Sequence, residues 1–305
     1  MLLSRTHMIR RVSISGLLLA LAACGGTSVD PIHPGTDSGA HSANDATPKS
    51  DGGTGAHAAD AGPVVYVRVN ALQTQYGTPS TTQETPLDQS VAILGVSLLK
   101  DASDPSPLVV VNNTTPVITS YNNGASTLIG TVPASALTAG TYTVVSIPVS
   151  YVTFTVAGTL HYNGAALPGD FSDTISLSAG SVIDGATHDR GWWSSSFSVN
   201  GQTYGTTSGE NSAIAQPGDT SDIALDLSGP VAAYVFPLTL TIPPSITEDM
   251  EIVFTANTYQ DFHWQDESET GYTTGVFDVS VGAYEPVTQL GANSATVTIA
   301  PATGP

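Results

Sequence analysis

The chain of 305 residues has one cysteine, seven Lys and Arg together, and no apolar run long enough to cross a bilayer. Each scarcity excludes something. One cysteine can form neither an internal disulfide nor a zinc site with several thiolates. Seven cations against 26 acids leave a net charge of −19, too few cations to displace counterions from phosphates, so no nucleic-acid partner is expected. The same deficit excludes polybasic attachment to anionic lipid. Charged residues make up 11% of the chain and hydrophobic ones 40%, so Ser, Thr, Gly, Asn and Gln carry most of the polarity. Catalytic signatures are scarce too: there is no G-x-S-x-G elbow, H-E-x-x-H pair, P-loop or dinucleotide fingerprint. The length allows one or two domains with a real core.

What is present begins at the N-terminus. Arg5, Arg10 and Arg11 precede an apolar run from Ile14 to Ala23, too short for a permanent span, which needs about 20 residues, but suited to an export signal. Met8 could also serve as the start. The run closes on Leu21-Ala22-Ala23-Cys24, which resembles the lipobox of bacterial lipoproteins. That resemblance implies a signal peptide over residues 1–23, cleavage before Cys24, and acylation of the Cys24 thiol. Two or three acyl chains give stable anchoring. In Gram-negative members an Asp after the cysteine retains the protein in the inner membrane, so Gly25 implies a lipid anchor in the outer membrane, on its periplasmic face or at the cell surface. Residues 24–62 hold no Phe, Trp, Tyr, Leu or Met and cannot bury enough surface to offset ordering entropy. They are expected to be a disordered tether, with a reach of about 35 Å.

From Pro63 the pattern becomes alternation. In Tyr151–Tyr162, Val152, Phe154, Val156, Leu160 and Tyr162 alternate with Thr153, Thr155, Thr159 and His161, the period of a half-buried strand. Similar runs lie at 65–69, 223–227, 236–242, 252–256 and 277–281. Pro237 predicts an edge or a bulge. Asn123-Gly124, Asn163-Gly164, Asp184-Gly185 and Asn200-Gly201 mark tight turns. Leu87, Val91, Leu94 and Leu98 have helical spacing behind Thr85-Pro86, so Pro86–Leu98 is the one plausible helix, with a strand as its alternative. The fold class is therefore all-β: an antiparallel β-sandwich, jelly-roll-like or two-sheet, over residues 63–305, with little helix and an optional division into two parts near 163–170. Leu137–Thr143 resembles the opening of a strand in bacterial surface β-sandwich lipoproteins.

Three groups of residues could carry function. Trp192 and Trp193 are adjacent, so an alternating strand cannot bury both; with Trp264 and Tyr259 they are candidates for stacking on carbohydrate. Asp261, Asp266, Glu267 and Glu269 place four acids within nine residues, oxygen ligands of the kind Ca²⁺ takes. Asp219, Asp222 and Asp226 form a weaker acidic set. His161 is expected at the surface, His188-Asp189 is a possible base with its orienter, and Arg190 is expected to pair with Asp189 or lie over an indole. Together these features predict a lipid-anchored cell-envelope protein with a non-catalytic binding or structural β-domain, its partner a carbohydrate, Ca²⁺ or another envelope protein. The alternative is an anchored polysaccharide hydrolase using a carboxylate pair.

Overall fold

The computed structural model describes residues 62–218 and 222–302. The expected signal segment, Cys24, the tether up to residue 61, and Asp219 lie outside the described residues. In chain order the strands are β1 (Val64–Leu72), β2 (Gln83–Glu84), β3 (Asp88–Leu99), β4 (Leu108–Ser120), β5 (Ser126–Pro133), β6 (Gly140–Tyr162) and β7 (Ala165–Ser176). There follow β8 (Ser181–Ile183), β9 (Ala186–His188), β10 (Trp193–Val199), β11 (Gln202–Gly209), β12 (Ala224–Asp226) and β13 (Ala232–Ile242). The last are β14 (Met250–Asn257), β15 (Phe262–Trp264), β16 (Asp278–Ser280), β17 (Ala283–Tyr284), β18 (Val287–Gln289) and β19 (Ser294–Pro301). Ala134–Ala136 is a single 3-10 turn, and no α-helix forms among the described residues.

The spine is β6. Along one edge it pairs first with β13 and then with β7; along the other it pairs first with β3 and then with β16. The resulting ten-stranded sheet is covered in two places. A four-stranded sheet, β19-β14-β1-β5, meets β13 and the first half of β6, with Phe254 edge-on to Phe236 at 6.4 Å. These layers enclose a cavity of about 20 Å³ lined by Val69, Phe254, Tyr234 and Phe236 among others. A three-stranded sheet, β18-β15-β2, covers the second half: Phe262 packs on Phe154 at 5.4 Å and on Phe277 at 5.1 Å. The all-β sandwich expected from the alternation is the observed architecture.

The solvated face of the large sheet explains why so few charges suffice. The outward row Ser120–Ser90–Thr153–Thr174–Ser194–Ser208 runs across six neighbouring strands. Hydroxyls pair between strands, Thr153 with Thr174 at 3.1 Å and Thr155 with Ser172 at 2.9 Å. Such pairs satisfy a half-exposed sheet without ionised groups.

Turn chemistry set three hairpins. Asn163-Gly164, Asp184-Gly185 and Asn200-Gly201 all have positive φ at both residues, the geometry of type I′ turns, and join β6–β7, β8–β9 and β10–β11. At Asn123-Gly124 only the glycine is left-handed, and the chain there passes between sheets. Pro237 sits at a register break in β13, a bulge that spares the ladder its missing donor. Three expectations need correction. Pro86–Leu98 is strand β3 rather than a helix: it is paired on both edges, and Val91, Ala92, Ile93 and Val96 are buried, so sheet burial outweighs a coincidental helical spacing. Residues 163–170 form the turn and first half of β7, bonded to β6 throughout, which leaves no division there. Val281 is 75% exposed, because β16 ends at Ser280 and the chain turns away.

Asp173 is among the buried polar residues that break the apolar rule. Asp173 lies opposite Phe154 and Ser195, is 1% exposed, and neither carboxyl oxygen has a hydrogen-bond partner. Burial raises its pKa well above the usual carboxylate range. A carboxyl raised on folding adds stability at pH below its unfolded value and loses it as pH rises through the folded one. Urea melts should therefore show wild type losing stability as pH rises above about 5, while Asp173→Asn shows a shallower loss; equal slopes would remove Asp173 as a cause.

Candidate functional site

The three-stranded sheet has two unlike faces. Phe262, Trp264 and Glu84 point inward, while Gln83, His263 and Gln289 stand opposite one another on the outer face. This row lies in an open groove of about 520 Å³. Tyr76, Gly77 and Thr78 line it from the β1–β2 connection, Tyr259 and Gln260 from the turn after β14, and Gly218 and Asn293 complete it.

The groove's side chains are held in place by short bonds. Gln83 Nε2 donates to Gln260 Oε1 at 3.2 Å, and Gln289 Nε2 donates to the Gly218 carbonyl at 3.3 Å. Asn293 Nδ2 donates to the Tyr259 carbonyl at 2.6 Å, and Tyr259 N–H to Asn257 Oδ1 at 3.1 Å. Tyr76 donates its hydroxyl to Asp222 at 2.9 Å. Gly218 is required by packing, since a Cβ there would stand 2.6 Å from Asn293 Oδ1. Gln260 has φ of +49°, a left-handed conformation that costs a non-glycine residue of order 1 kcal/mol and concentrates at functional turns.

His263 is half-buried and its pKa is lowered by desolvation, so the imidazole is neutral at pH 7. Its Nε2 lies 2.9 Å from the Gln260 carbonyl, which can only accept, so Nε2 carries the proton and Nδ1 is an acceptor. Among the described residues, every one that lines the groove is therefore uncharged, in a domain dense with acids. Amides and imidazole offer both donors and acceptors, flanked by two tyrosine rings.

Among the described residues singled out in the sequence, Tyr259 alone falls in this groove. Trp264 is a core residue, 5% exposed and packed on Phe262 and Phe277, so it presents no stacking face; its Nε1–H is satisfied by Asp266 at 3.2 Å. Trp192 is stacked against His188 at 3.7 Å, so His188 is a ring partner and not a base oriented by Asp189. Trp193 opens β10 and lies against Gly209, where a Cβ would meet the indole at 2.9 Å. Both adjacent indoles are half-buried.

The four expected calcium ligands do not gather. Asp261 is fully buried and faces Gln89 in the core, whereas Glu269 is exposed. Asp266 accepts the Gly275 N–H with both oxygens at 3.1 Å. One of the four, Asp266, acts with Asp278 and Glu285 as a staple. Asp278 accepts from Thr273 N at 2.6 Å and from His161 Nε2 at 2.7 Å. Glu285 accepts from Glu267 N at 2.8 Å and Asp278 N at 2.9 Å. Thus His161 is tied to a buried carboxyl and is not plain surface, and carboxylates close the 265–277 loop by accepting backbone donors. Arg190 also departs from expectation: its guanidinium donates to the carbonyls of Leu177, Leu227 and Gly229, fastening three loops instead of pairing with Asp189. Asp226 accepts from Ser228 N at 2.9 Å, apart from Asp222 beside Tyr76. Among the described residues no group of three or more His, Cys, Asp or Glu is placed to share a metal ion.

Titrating calcium chloride into the protein should accordingly leave the melting temperature unchanged, whereas Asp278→Ala should lower stability by about 1–3 kcal/mol through its orphaned donors. A calcium-dependent rise in melting temperature would show that the acids converge after all. No protein-family model, no curated protein and no solved structure matches this chain.

Proposed function

We propose that the β-domain is a non-catalytic binding module for neutral carbohydrate, and that the groove over β2, β15 and β18 is its site. The observation that carries this reading is the uncharged row Gln83–His263–Gln289 between Tyr76 and Tyr259. Sugar hydroxyls both donate and accept, which suits amides and a neutral imidazole, and tyrosine rings offer apolar surface to a pyranose face. The domain's acidity repels anionic ligands, and an uncharged groove gives a cation no counter-charge. The described lining residues include no carboxyl pair of the kind that would favour hydrolysis here.

A screen of neutral oligosaccharides on a glycan array, followed by titration calorimetry, tests the reading. Tyr259→Ala and Gln289→Ala should each weaken binding about tenfold or more, equivalent to about 1.4 kcal/mol, while Trp192→Ala should leave it unchanged. Absence of any bound glycan, or unaltered affinity in both groove variants, would sink it.

The lipobox-like Leu21–Cys24 segment supports the rest of the reading, a module anchored by acylated Cys24 to the outer membrane and held off it by a tether. Metabolic labelling with a palmitate analogue should mark the wild type and spare Cys24→Ser, which should move to the soluble fraction. Equal labelling of both would remove the anchor.

A further inference from the structure

The groove rests on two carboxyls that have no counter-charge. Glu84 lies on the underside of the three-stranded sheet, directly opposite Phe262, and its Oε1 is buried without a hydrogen-bond partner. Asp261, one residue before β15, is 0% exposed, and both its oxygens lack a well-aligned partner. The buried amide of Gln89 stands beside it and is equally unsatisfied. Above these two carboxyls, on the opposite face and in the adjoining turn, are Gln83, His263, Tyr259 and Gln260.

We propose that Glu84 and Asp261 form a proton-operated latch beneath the groove: while both are uncharged the three-stranded sheet stays seated and the groove is assembled, and when they ionise the sheet lifts and the bound saccharide is released. This rests on the groove being the binding site. The physical reason is the cost of burying a carboxylate that has no counter-charge, which stays large even after relaxation. A protonated carboxyl can stay; an ionised one must reach water, and the route out displaces β2 or the Gln260 turn. That turn already holds a left-handed glutamine, so opening it relieves backbone strain.

The groups facing the latch reinforce it. Asp261 is flanked by Tyr121 at the end of β4 and Tyr234 on β13, both raised by burial and so neutral. Glu84 meets the Ala157 N–H of β6, and His263 on the other face is neutral as well. The ion pairs among the described residues are Arg68–Glu251 and His161–Asp278, so neither latch carboxyl has a cationic partner. Desolvation lifts Glu84 to about 7 and raises Asp261 in the same direction. For groups raised on folding, the seated state is favoured fully below the unfolded value and loses that support as pH rises through the folded one. Glu84 thus places the onset of release around neutrality.

Amide hydrogen exchange on the full chain, corrected for intrinsic rates, reads the latch without any ligand. Between about pH 5.5 and about pH 8.5, protection of residues 81–86 and 257–265 should fall at least about tenfold in wild type, while that of β6 stays constant. Glu84→Gln with Asp261→Asn should hold protection at its acidic level across the range. Should the double variant not fold, Glu84→Gln alone, at the half-buried position, should remove the part of the loss centred near neutrality. A wild-type profile flat in pH, or variants that loosen as wild type does, would overturn the latch and leave the carbohydrate reading standing. Failure of every glycan to bind, with the exchange step present, would overturn the carbohydrate reading and keep the conformational switch.

Discussion

The structure depends on the double pairing of β6. A strand of 23 residues, Gly140–Tyr162, is too long for one pair of neighbours, and its two edges are each shared by two partners laid end to end. β13 and β7 follow one another on one side, β3 and β16 on the other. Every other strand of the large sheet takes its position from one of these four. The inward face of β6 then presents Val145, Ile147 and Val149 at one end and Val152, Phe154 and Val156 at the other, the parity changing at the consecutive buried pair Val149-Ser150. Two separate covers satisfy these two apolar stretches. The smaller cover, held by aromatic contacts alone at its centre, is the one that carries the groove.

The acids show a second constraint. In a domain with three cations, Arg68, Lys100 and Arg190, against 21 acids, carboxyls cannot be satisfied chiefly by ion pairs. Backbone donors take their place: Asp101, Asp104 and Asp226 accept from N–H groups in their own turns, and Asp266, Asp278 and Glu285 do so across the 265–277 loop. Hydrogen bonds to the charged form hold Asp101, Asp104 and Asp226 below the ordinary range. In Glu84, Asp173 and Asp261 desolvation outweighs the donors nearby, and these are the carboxyls whose proton affinity rises. Acid-rich composition therefore divides into staples that prefer high pH and core groups that prefer low pH.

How far the sequence foretold this follows from the range of each signal. Period-two alternation is local, so β1, β6, β13 and β14 were legible, as were three Asn-Gly or Asp-Gly turns whose φ demands are met by the residues themselves. Pro86–Leu98 offered a helix, with a strand as its alternative, because Leu87, Val91, Leu94 and Leu98 share a spacing; only the pairing of β3 with β4 and β6 decides between them. The groove was nearly invisible for the same reason. Gln83, His263 and Gln289 lie on three short strands separated by long stretches of chain, and no local pattern marks an amide as belonging to a row. Tryptophan drew attention to Trp192, Trp193 and Trp264 as residue types suited to sugars, but residue type does not report burial. The density of acids after Tyr259 was real, while their use as backbone acceptors needed the loop's path.

The uncharged groove gains meaning from the charge around it. At net −19, the field of the chain lowers the local concentration of anions, a long-range effect screened over about 8 Å at physiological ionic strength. A pocket for phosphate or an acidic sugar would need cations to overcome that field, and two of the three in the domain are committed elsewhere, Arg68 to Glu251 at 2.5 Å and Arg190 to three carbonyls, while Lys100 is exposed near Asp104 and does not line the groove. On the proposed reading, selectivity for neutral ligands would follow from two independent features, the exclusion of anions by the whole surface and the absence of ionised side chains among the described residues that line the groove. Neutral polyhydroxyl molecules are indifferent to the first and matched to the second.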